Sequence, residues 1–169
     1  MTTLDEAIAK AIAYETRIRD LYHAAVESTP DPTGKRVFQA LADDEQRHMD
    51  YLETKRTQWR EQGRITVDPL VSGISNTALP ETDLEALQQT LGREDRRDEK
   101  RMLSKALQVE IETSAFYRQM VDQMEGDARA MFARFMEIED GHIAAVQAEL
   151  DYISHTGFWF DFQEFDMEH

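Results

Sequence analysis

Two short stretches decide the fold of this chain: DEQRH at residues 44–48 and EDGH at residues 139–142, each containing the pattern Glu-x-x-His. Three residues of α-helix turn about 300°, so the Glu and the His of each pattern lie within about 60° of each other. Both side chains can then reach the same point inside a helical bundle. The sequence therefore predicts that each stretch supplies a carboxylate and an imidazole to a common buried site.

Apolar residues recur at helical spacing on both sides of these stretches and predict an all-α protein with four helices. The helices are predicted over residues 3–28, 33–62, 93–125 and 128–154. A capping box at Thr3–Glu6 opens the first helix, and Asp31 or Thr33 caps the second. Gly63 ends the second helix, and Asp127 is expected to cap the fourth.

The segment between the second and third helices, about residues 63–93, is predicted as a long crossover. Proline and glycine interrupt it, and residues 81–91 have the pattern of a short helix. One bundle domain is therefore expected over residues 1–154. An aromatic tail follows at residues 155–169, and it should pack on the bundle or on another subunit, because five clustered aromatics in water form an adhesive patch.

The two halves of the chain repeat one helical hairpin. Aligning the first helix with the third and the second with the fourth pairs Glu15 with Glu110, Tyr22 with Tyr117, Glu45 with Glu139, and His48 with His142. A pseudo-twofold axis would bring four carboxylates and two imidazoles together. Unpaired carboxylates in a bundle interior are destabilising, and two divalent cations would remove that penalty. Oxygen ligands with two imidazoles favour iron or manganese over zinc.

Each tyrosine of the repeat has two interpretations. Tyr22 and Tyr117 follow the first glutamate of each hairpin by two helical turns, which returns them to nearly the same face. They are either simple core aromatics or donors of hydrogen bonds to ligand carboxylates.

Composition excludes several classes of function. The formal net charge of −15 opposes binding to nucleic acid or to an anionic membrane. The absence of cysteine excludes disulfides, thiolate metal sites and thiol nucleophiles. No stretch reaches the ~18 apolar residues of a membrane span, and the start of the chain has no apolar leader segment. A cytoplasmic location is the resulting expectation.

The duplicated set of Glu, Tyr and Glu-x-x-His over residues 3–154 resembles the rubrerythrin branch of the ferritin-like superfamily. The resemblance implies a ferritin-like four-helix bundle that binds two iron ions, or two manganese ions. Glu45 and Glu139 would bridge the metals, Glu15 and Glu110 would be terminal ligands, and His48 and His142 would each bind one metal. The implied function is a non-haem di-iron oxidoreductase that oxidises Fe(II) with peroxide or dioxygen.

The chain departs from rubrerythrins in two respects. It has no cysteine-bearing rubredoxin domain, so its electron donor must be external and is not identified by the sequence. Rubrerythrins also carry a further carboxylate one turn after the glutamate of the third helix, where this chain has Thr113. Glu112 is next to that position but about 100° away from the face.

Two other functions fit the same pattern. The chain is a ferroxidase that feeds iron storage, or it is a non-catalytic helical interaction module that binds through its aromatic tail. Helical bundles often associate side by side, so we expect a homodimer.

Overall fold

The computed structural model describes residues 2–74 and 97–160, and within these residues the chain forms four α-helices and no strand. The helices are α1 (Leu4–Ser28), α2 (Pro32–Gln62), α3 (Arg97–Gln123) and α4 (Gly126–Thr156). The prediction of an all-α protein with four helices is confirmed. The short helix predicted at residues 81–91 and the predicted start of the third helix at residues 93–96 lie outside the described residues.

The ends of α1 and α2 follow the predicted capping chemistry. The amide of Glu6 donates to the Thr3 hydroxyl over 3.2 Å, and the Glu6 carboxylate accepts from the Thr3 amide over 3.1 Å. Asp31, rather than Thr33, caps α2 by accepting from the amides of Thr33 and Gly34. Gly63 ends α2 with φ of 66°, a left-handed conformation that glycine adopts at little cost.

The predicted cap of the fourth helix is wrong. The helix begins at Gly126, Glu125 holds the cap position without a side-chain hydrogen bond, and Asp127 lies in the first turn. Gly126 adopts φ of 61°, a left-handed conformation that suits glycine, and the helix starts at this residue, two residues earlier than predicted. The negative charge of Asp127 still favours a helix N-terminus. The helix also continues to Thr156, because Gly157 supplies the C-terminal cap.

The four helices form two hairpins. The short connections after α1 and after α3 make α1 antiparallel to α2, and α3 antiparallel to α4. The hairpins meet in part where α1 packs against α3. Among the described residues, no helix combines the length and the apolar character that crossing a bilayer requires.

The hydrophobic core is divided into two clusters. We call them the Trp159 cluster, which includes Tyr22, Phe38, Leu41, Val146 and Trp159, and the Phe132 cluster, which includes Ala11, Leu52, Tyr117, Phe132 and Phe135. Each helix contributes to both clusters, and between the two contributions it carries buried polar residues. On α1, for example, the buried Glu15 lies between Ala11 and Ile18. The polar layer is therefore enclosed by apolar side chains above and below.

Trp159 is the buried aromatic residue in the described part of the tail, and it packs on the bundle. Its indole Nε1 donates to the Glu99 carboxylate over 2.6 Å, and its ring packs edge-on against Phe38 with centroids 5.1 Å apart. Phe158 and Phe160 are half-buried. The tail aromatics beyond residue 160 lie outside the described residues.

Residues 64–74, the described part of the predicted crossover, are attached to the bundle by polar contacts. The buried ammonium of Lys55 pairs with the carboxylate of Asp68. The Tyr51 hydroxyl donates to the carbonyl of Asp68 over 2.8 Å, and Arg134 donates to the carbonyl of Leu70 over 2.9 Å. The segment thus crosses from α2 to α4 beside the polar layer.

Candidate metal centre

All six residues predicted to bind metal lie in this polar layer, with 0% of their surface exposed. One helix of each hairpin supplies a single glutamate and the other supplies a Glu-x-x-His pair: Glu15 from α1, Glu45 and His48 from α2, Glu110 from α3, and Glu139 and His142 from α4. The helical spacing predicted from the sequence places each pair on the inner face of its helix. The structure therefore brings the six residues together.

The six residues form two overlapping groups of possible metal ligands. One group contains Glu15, Glu45, His48 and Glu139, and the other contains Glu45, Glu110, Glu139 and His142. Within each group, one donor atom from every residue lies within 4.8 Å of the others. Metal–oxygen bonds of about 2.0–2.2 Å allow two donors on one ion to be up to about 4.4 Å apart. The groups are therefore close to the size of one cation each, and Glu45 and Glu139 belong to both.

The two imidazole rings turn the same nitrogen toward the carboxylates. His142 Nδ1 lies 2.8 Å from Glu45 and 3.4 Å from Glu110. His48 Nδ1 lies 3.4 Å from Glu45 and 3.5 Å from Glu15. The rings stack with centroids 5.4 Å apart and an interplanar angle of 18°. Both Nε2 atoms consequently face away from the carboxylate layer, on the side of Asp44.

Tyr22 and Tyr117 donate hydrogen bonds to glutamates of the site. Each tyrosine reaches across to the opposite hairpin: Tyr22 donates to Glu110 over 2.7 Å, and Tyr117 donates to Glu15 over 2.6 Å. Burial and the facing carboxylate raise the pKa of each phenol well above its usual value, so both remain neutral donors. Of the two interpretations of these tyrosines, the structure supports the hydrogen-bonding one.

Sequence reasoning missed one residue of the site, Asp44. Its buried carboxylate accepts a hydrogen bond from His142 Nε2 over 2.6 Å and lies 3.3 Å from His48 Nε2. Burial alone would raise the pKa of Asp44, but the two imidazoles hold it well below its usual range. A signal was present, because Asp44 precedes His48 by four residues and so shares its helix face.

Position 113 provides no ligand. Thr113 is buried, and its hydroxyl donates to the carbonyl of Val109 over 2.8 Å. Glu112 points outward, as its spacing predicts, and pairs with Arg17 at 3.2 Å. Among the described residues, α3 therefore supplies a single carboxylate to the centre.

Nine side-chain atoms of the six residues are buried without a hydrogen-bond partner among the described residues. They include both carboxylate oxygens of Glu45 and of Glu139, one oxygen each of Glu15 and Glu110, and Nδ1 of both histidines. Buried polar atoms in native proteins are nearly always satisfied, and a group of unsatisfied ones requires an explanation. Except for His48 Nε2, which faces Asp44, these atoms point at one another, so a cation between them would satisfy them.

The protonation of the centre reflects the crowding of its carboxylates. Burial raises the pKa of Glu45, and the nearby carboxylates of Glu15 and Glu110 raise it further, to about 8. The same two effects raise the pKa of Glu139. In contrast, contacts with Glu45 and the charge on His48 outweigh burial and lower the pKa of Glu15 to about 2. A cation at these glutamates would therefore have to compete with protons.

Both imidazoles prefer the charged form. Burial disfavours an imidazolium, but the charge of Glu15 raises the pKa of His48 well above its ordinary value. Glu45 and Glu110 do the same to His142. A divalent cation that binds at Nδ1 has to displace these protons, so metal binding at this centre is coupled to proton release.

In comparisons with known proteins, no protein-family model, no curated protein and no solved structure matches this chain. A function for this chain is therefore inferred from the geometry and the chemistry of the centre. They describe buried oxygen and nitrogen atoms that lie close enough together to hold a metal ion and that have no other partner among the described residues.

Proposed function

We propose that this chain is a ferritin-like, non-haem di-iron oxidoreductase, similar to rubrerythrins, that oxidises Fe(II) with peroxide or dioxygen. The observation that carries the proposal is the pair of ligand groups that share Glu45 and Glu139. A chance cluster of buried acids has no reason to divide into two cation-sized groups with one imidazole each.

The negative charge of the centre favours the binding of two divalent cations over the binding of one. The centre holds four carboxylates, and two divalent ions bring an equal positive charge, which removes the repulsion that raises the pKa of Glu45. The ligands are oxygen and imidazole nitrogen only, since the chain has no cysteine. This donor set suits iron and manganese, whereas structural zinc prefers a closed site of four thiolate or imidazole ligands.

In this proposal Glu45 and Glu139, which belong to both ligand groups, would help to hold both cations. Glu15 with His48, and Glu110 with His142, complete the two positions. Tyr117 and Tyr22 each hold one oxygen of Glu15 and Glu110, respectively, so that the second oxygen of each glutamate, which has no hydrogen-bond partner among the described residues, would be available to a cation. When bound, the iron ions supply electrons to the oxidant and act as Lewis acids.

The protein surrounding the centre excludes bulk water. Phe135 packs edge-on against His48 with centroids 5.6 Å apart, and it stacks on Tyr117 at 5.2 Å. The Trp159 cluster closes the opposite side. A dry site strengthens the electrostatic interactions inside it and protects reactive oxygen species from side reactions.

Iron handling is the second candidate function, and Thr113 favours it. The carboxylate that rubrerythrins have at this place is absent, and the Thr113 hydroxyl is bound to its own helix. A ferroxidase that passes oxidised iron to a store needs no such ligand. Particle size separates the two functions, because a dimer cannot enclose a mineral core and a large cage or a shell-enclosed complex can.

Rapid mixing of the Fe(II)-loaded protein with hydrogen peroxide or with dioxygen tests the proposal. Each peroxide accepts two electrons and two protons to give two waters, so one equivalent should oxidise both ferrous ions of a chain. The wild type should form Fe(III) faster than free Fe(II) does, and Glu139→Ala should not. Glu137→Ala is the matched control, because Glu137 lies on the exposed side of the same helix turn. A wild-type rate equal to that of Glu139→Ala would contradict the proposal.

A further inference from the structure

Asp44 connects both imidazoles of the centre to the crossover. Its Oδ2 accepts from His142 Nε2 over 2.6 Å and from the Ser72 hydroxyl over 2.8 Å. Its Oδ1 accepts from the Gly73 amide over 2.7 Å and from Arg47 over 2.8 Å. The carboxylate is fully buried. A buried carboxylate with this many donors is held in one orientation.

The contacts of Asp44 with the two histidines are unequal. His142 Nε2 makes a short hydrogen bond with it, whereas His48 Nε2 lies 3.3 Å away and has no hydrogen-bond partner among the described residues. The residue equivalent to Asp44 in the second hairpin is Ile138, which is apolar and buried. At the equivalent position α4 therefore has no carboxylate that could support His48 as Asp44 supports His142.

We infer that Asp44 is a positioning residue that makes the two metal positions inequivalent, so that the position of Glu110 and His142 binds its cation more tightly than the position of Glu15 and His48. The inference rests on the proposed function. A hydrogen bond from Nε2–H to a carboxylate fixes the tautomer that leaves Nδ1 free to bind a metal, and it also fixes the plane of the ring. His142 has this support, and His48 has it only weakly.

The same carboxylate ties the crossover to the centre. Ser72 and Gly73 both donate to Asp44, and the crossover backbone passes very close to the neighbouring Arg47. A Cβ atom on Gly73 would lie 2.2 Å from Arg47 Nη2, so a larger residue at this position would require the Arg47 guanidinium to move away from its present contact with Asp44. The crossover therefore holds Asp44 in place, and Asp44 holds His142.

Stepwise titration with Co(II) tests the inference, because the visible absorption of Co(II) reports its ligands. The wild type should bind two Co(II) ions in two steps of different affinity. Asp44→Asn keeps the size of the side chain and removes its charge, and it should weaken the first step about 10- to 100-fold and bring the two steps together. Asp43→Asn is the matched control, because the neighbouring Asp43 is exposed, and its titration should equal that of the wild type.

A metal-free readout accompanies the titration. Amide exchange of Gly73 should accelerate in Asp44→Ala, which removes the acceptor of that amide. Ser72→Ala removes one hydrogen bond to Oδ2 without changing charge, and it should weaken the first Co(II) step by a smaller factor; it replaces Asp44→Asn should that variant fail to fold.

The outcomes separate the inference from the proposed function. Two equal Co(II) steps in the wild type, or unchanged steps in Asp44→Asn and Ser72→Ala, would overturn the inference while the dinuclear site stands. A wild type that binds no Co(II) would overturn both.

Discussion

The two hairpins carry the same ligands in different surroundings. Each supplies a glutamate, a tyrosine and a Glu-x-x-His pair to one layer, but within the described residues the crossover and Trp159 contact positions on α2 whose equivalents on α4 carry other residues. The crossover reaches Asp44, where α4 has Ile138, and Trp159 packs over Gly34, where α4 has Ala128. The two hairpins therefore carry the same residues at positions that face the shared site, and different residues at positions that contact other segments.

The largest effect is expected where the hairpins are alike. Glu45→Ala and Glu139→Ala each remove a carboxylate that belongs to both ligand groups, so each variant should lose dinuclear binding. Metal content after anaerobic loading with Fe(II) measures the loss. Glu53→Ala, an exposed change on α2, is the control. Two tightly bound metals in either variant would show that the two groups do not share these residues.

Without metal, Glu45→Leu and Glu139→Leu should be more stable than the wild type. A buried carboxylate among other carboxylates destabilises the fold, and an apolar residue of similar volume removes that repulsion without leaving a cavity. Urea denaturation in the presence of a chelator provides the comparison. A lower free energy of unfolding for both variants would mean that these glutamates stabilise the bundle without a metal.

The stability gained from metal should increase with pH. The folded, chelated protein holds the proton of Glu45 up to a pKa of about 8, whereas an unfolded Glu has a pKa of about 4.3. Between these values the folded state binds more protons, so its free energy of unfolding falls as pH rises. The raised pKa values of Glu139, His48 and His142 act in the same direction. Groups whose pKa is lowered in the folded state, such as Glu15 and Asp44, affect the free energy of unfolding only below this pH range.

Melting temperatures at pH 5, 6, 7 and 8, with and without Mn(II), test this dependence. The difference between the loaded and the chelated protein should widen steadily toward pH 8. A difference that is constant or narrows would contradict the competition between protons and cations.

A smaller effect is expected where the hairpins differ. A Cβ atom on Gly34 would lie 2.6 Å from the Trp159 ring and 2.8 Å from Thr29 Cγ2. Gly34→Ala should therefore destabilise the protein by about 1–3 kcal/mol in urea denaturation. If the contact with Trp159 is the cause, most of this effect should disappear in a Trp159→Ala background. An undiminished effect there would assign the cost to Thr29 instead.

The smallest effect has the opposite sign. A Cβ atom on Gly141 would meet no heavy atom within 4 Å, and the residue lies inside α4. Gly141→Ala should stabilise the protein by about 0.5–1 kcal/mol, because alanine loses less backbone entropy in a helix. Thermal or urea denaturation can detect this gain. A loss of stability would indicate that α4 requires the backbone flexibility of glycine next to His142.

The sequence was sufficient to predict the four helices and to predict that the six residues of the centre lie together. Periodicity fixes which face of each helix is buried, and the repeat shows that Glu15 and Glu110 occupy equivalent places. The start of α4 was mispredicted because Asp127 has the chemistry of a cap, whereas the backbone of Gly126 decides where the helix begins.

Asp44 could not be assigned from the pattern alone because its role depends on contacts between distant segments. Its partners are a histidine of the other hairpin and two residues of the crossover. The hydrogen bonds of Tyr22 and Tyr117 likewise cross between hairpins, so periodicity placed them near the site without choosing their partners. Helical spacing describes one element at a time, and these residues act between elements.

Elemental analysis of the purified protein shows whether the six residues hold metal. The protein would be expressed in iron-supplemented medium, purified without chelator and compared with Glu139→Ala prepared in the same way. About two iron ions per chain are expected in the wild type, with a clear loss in the variant. A wild type that binds no metal, even after anaerobic addition of Fe(II), would contradict a di-iron centre at these residues.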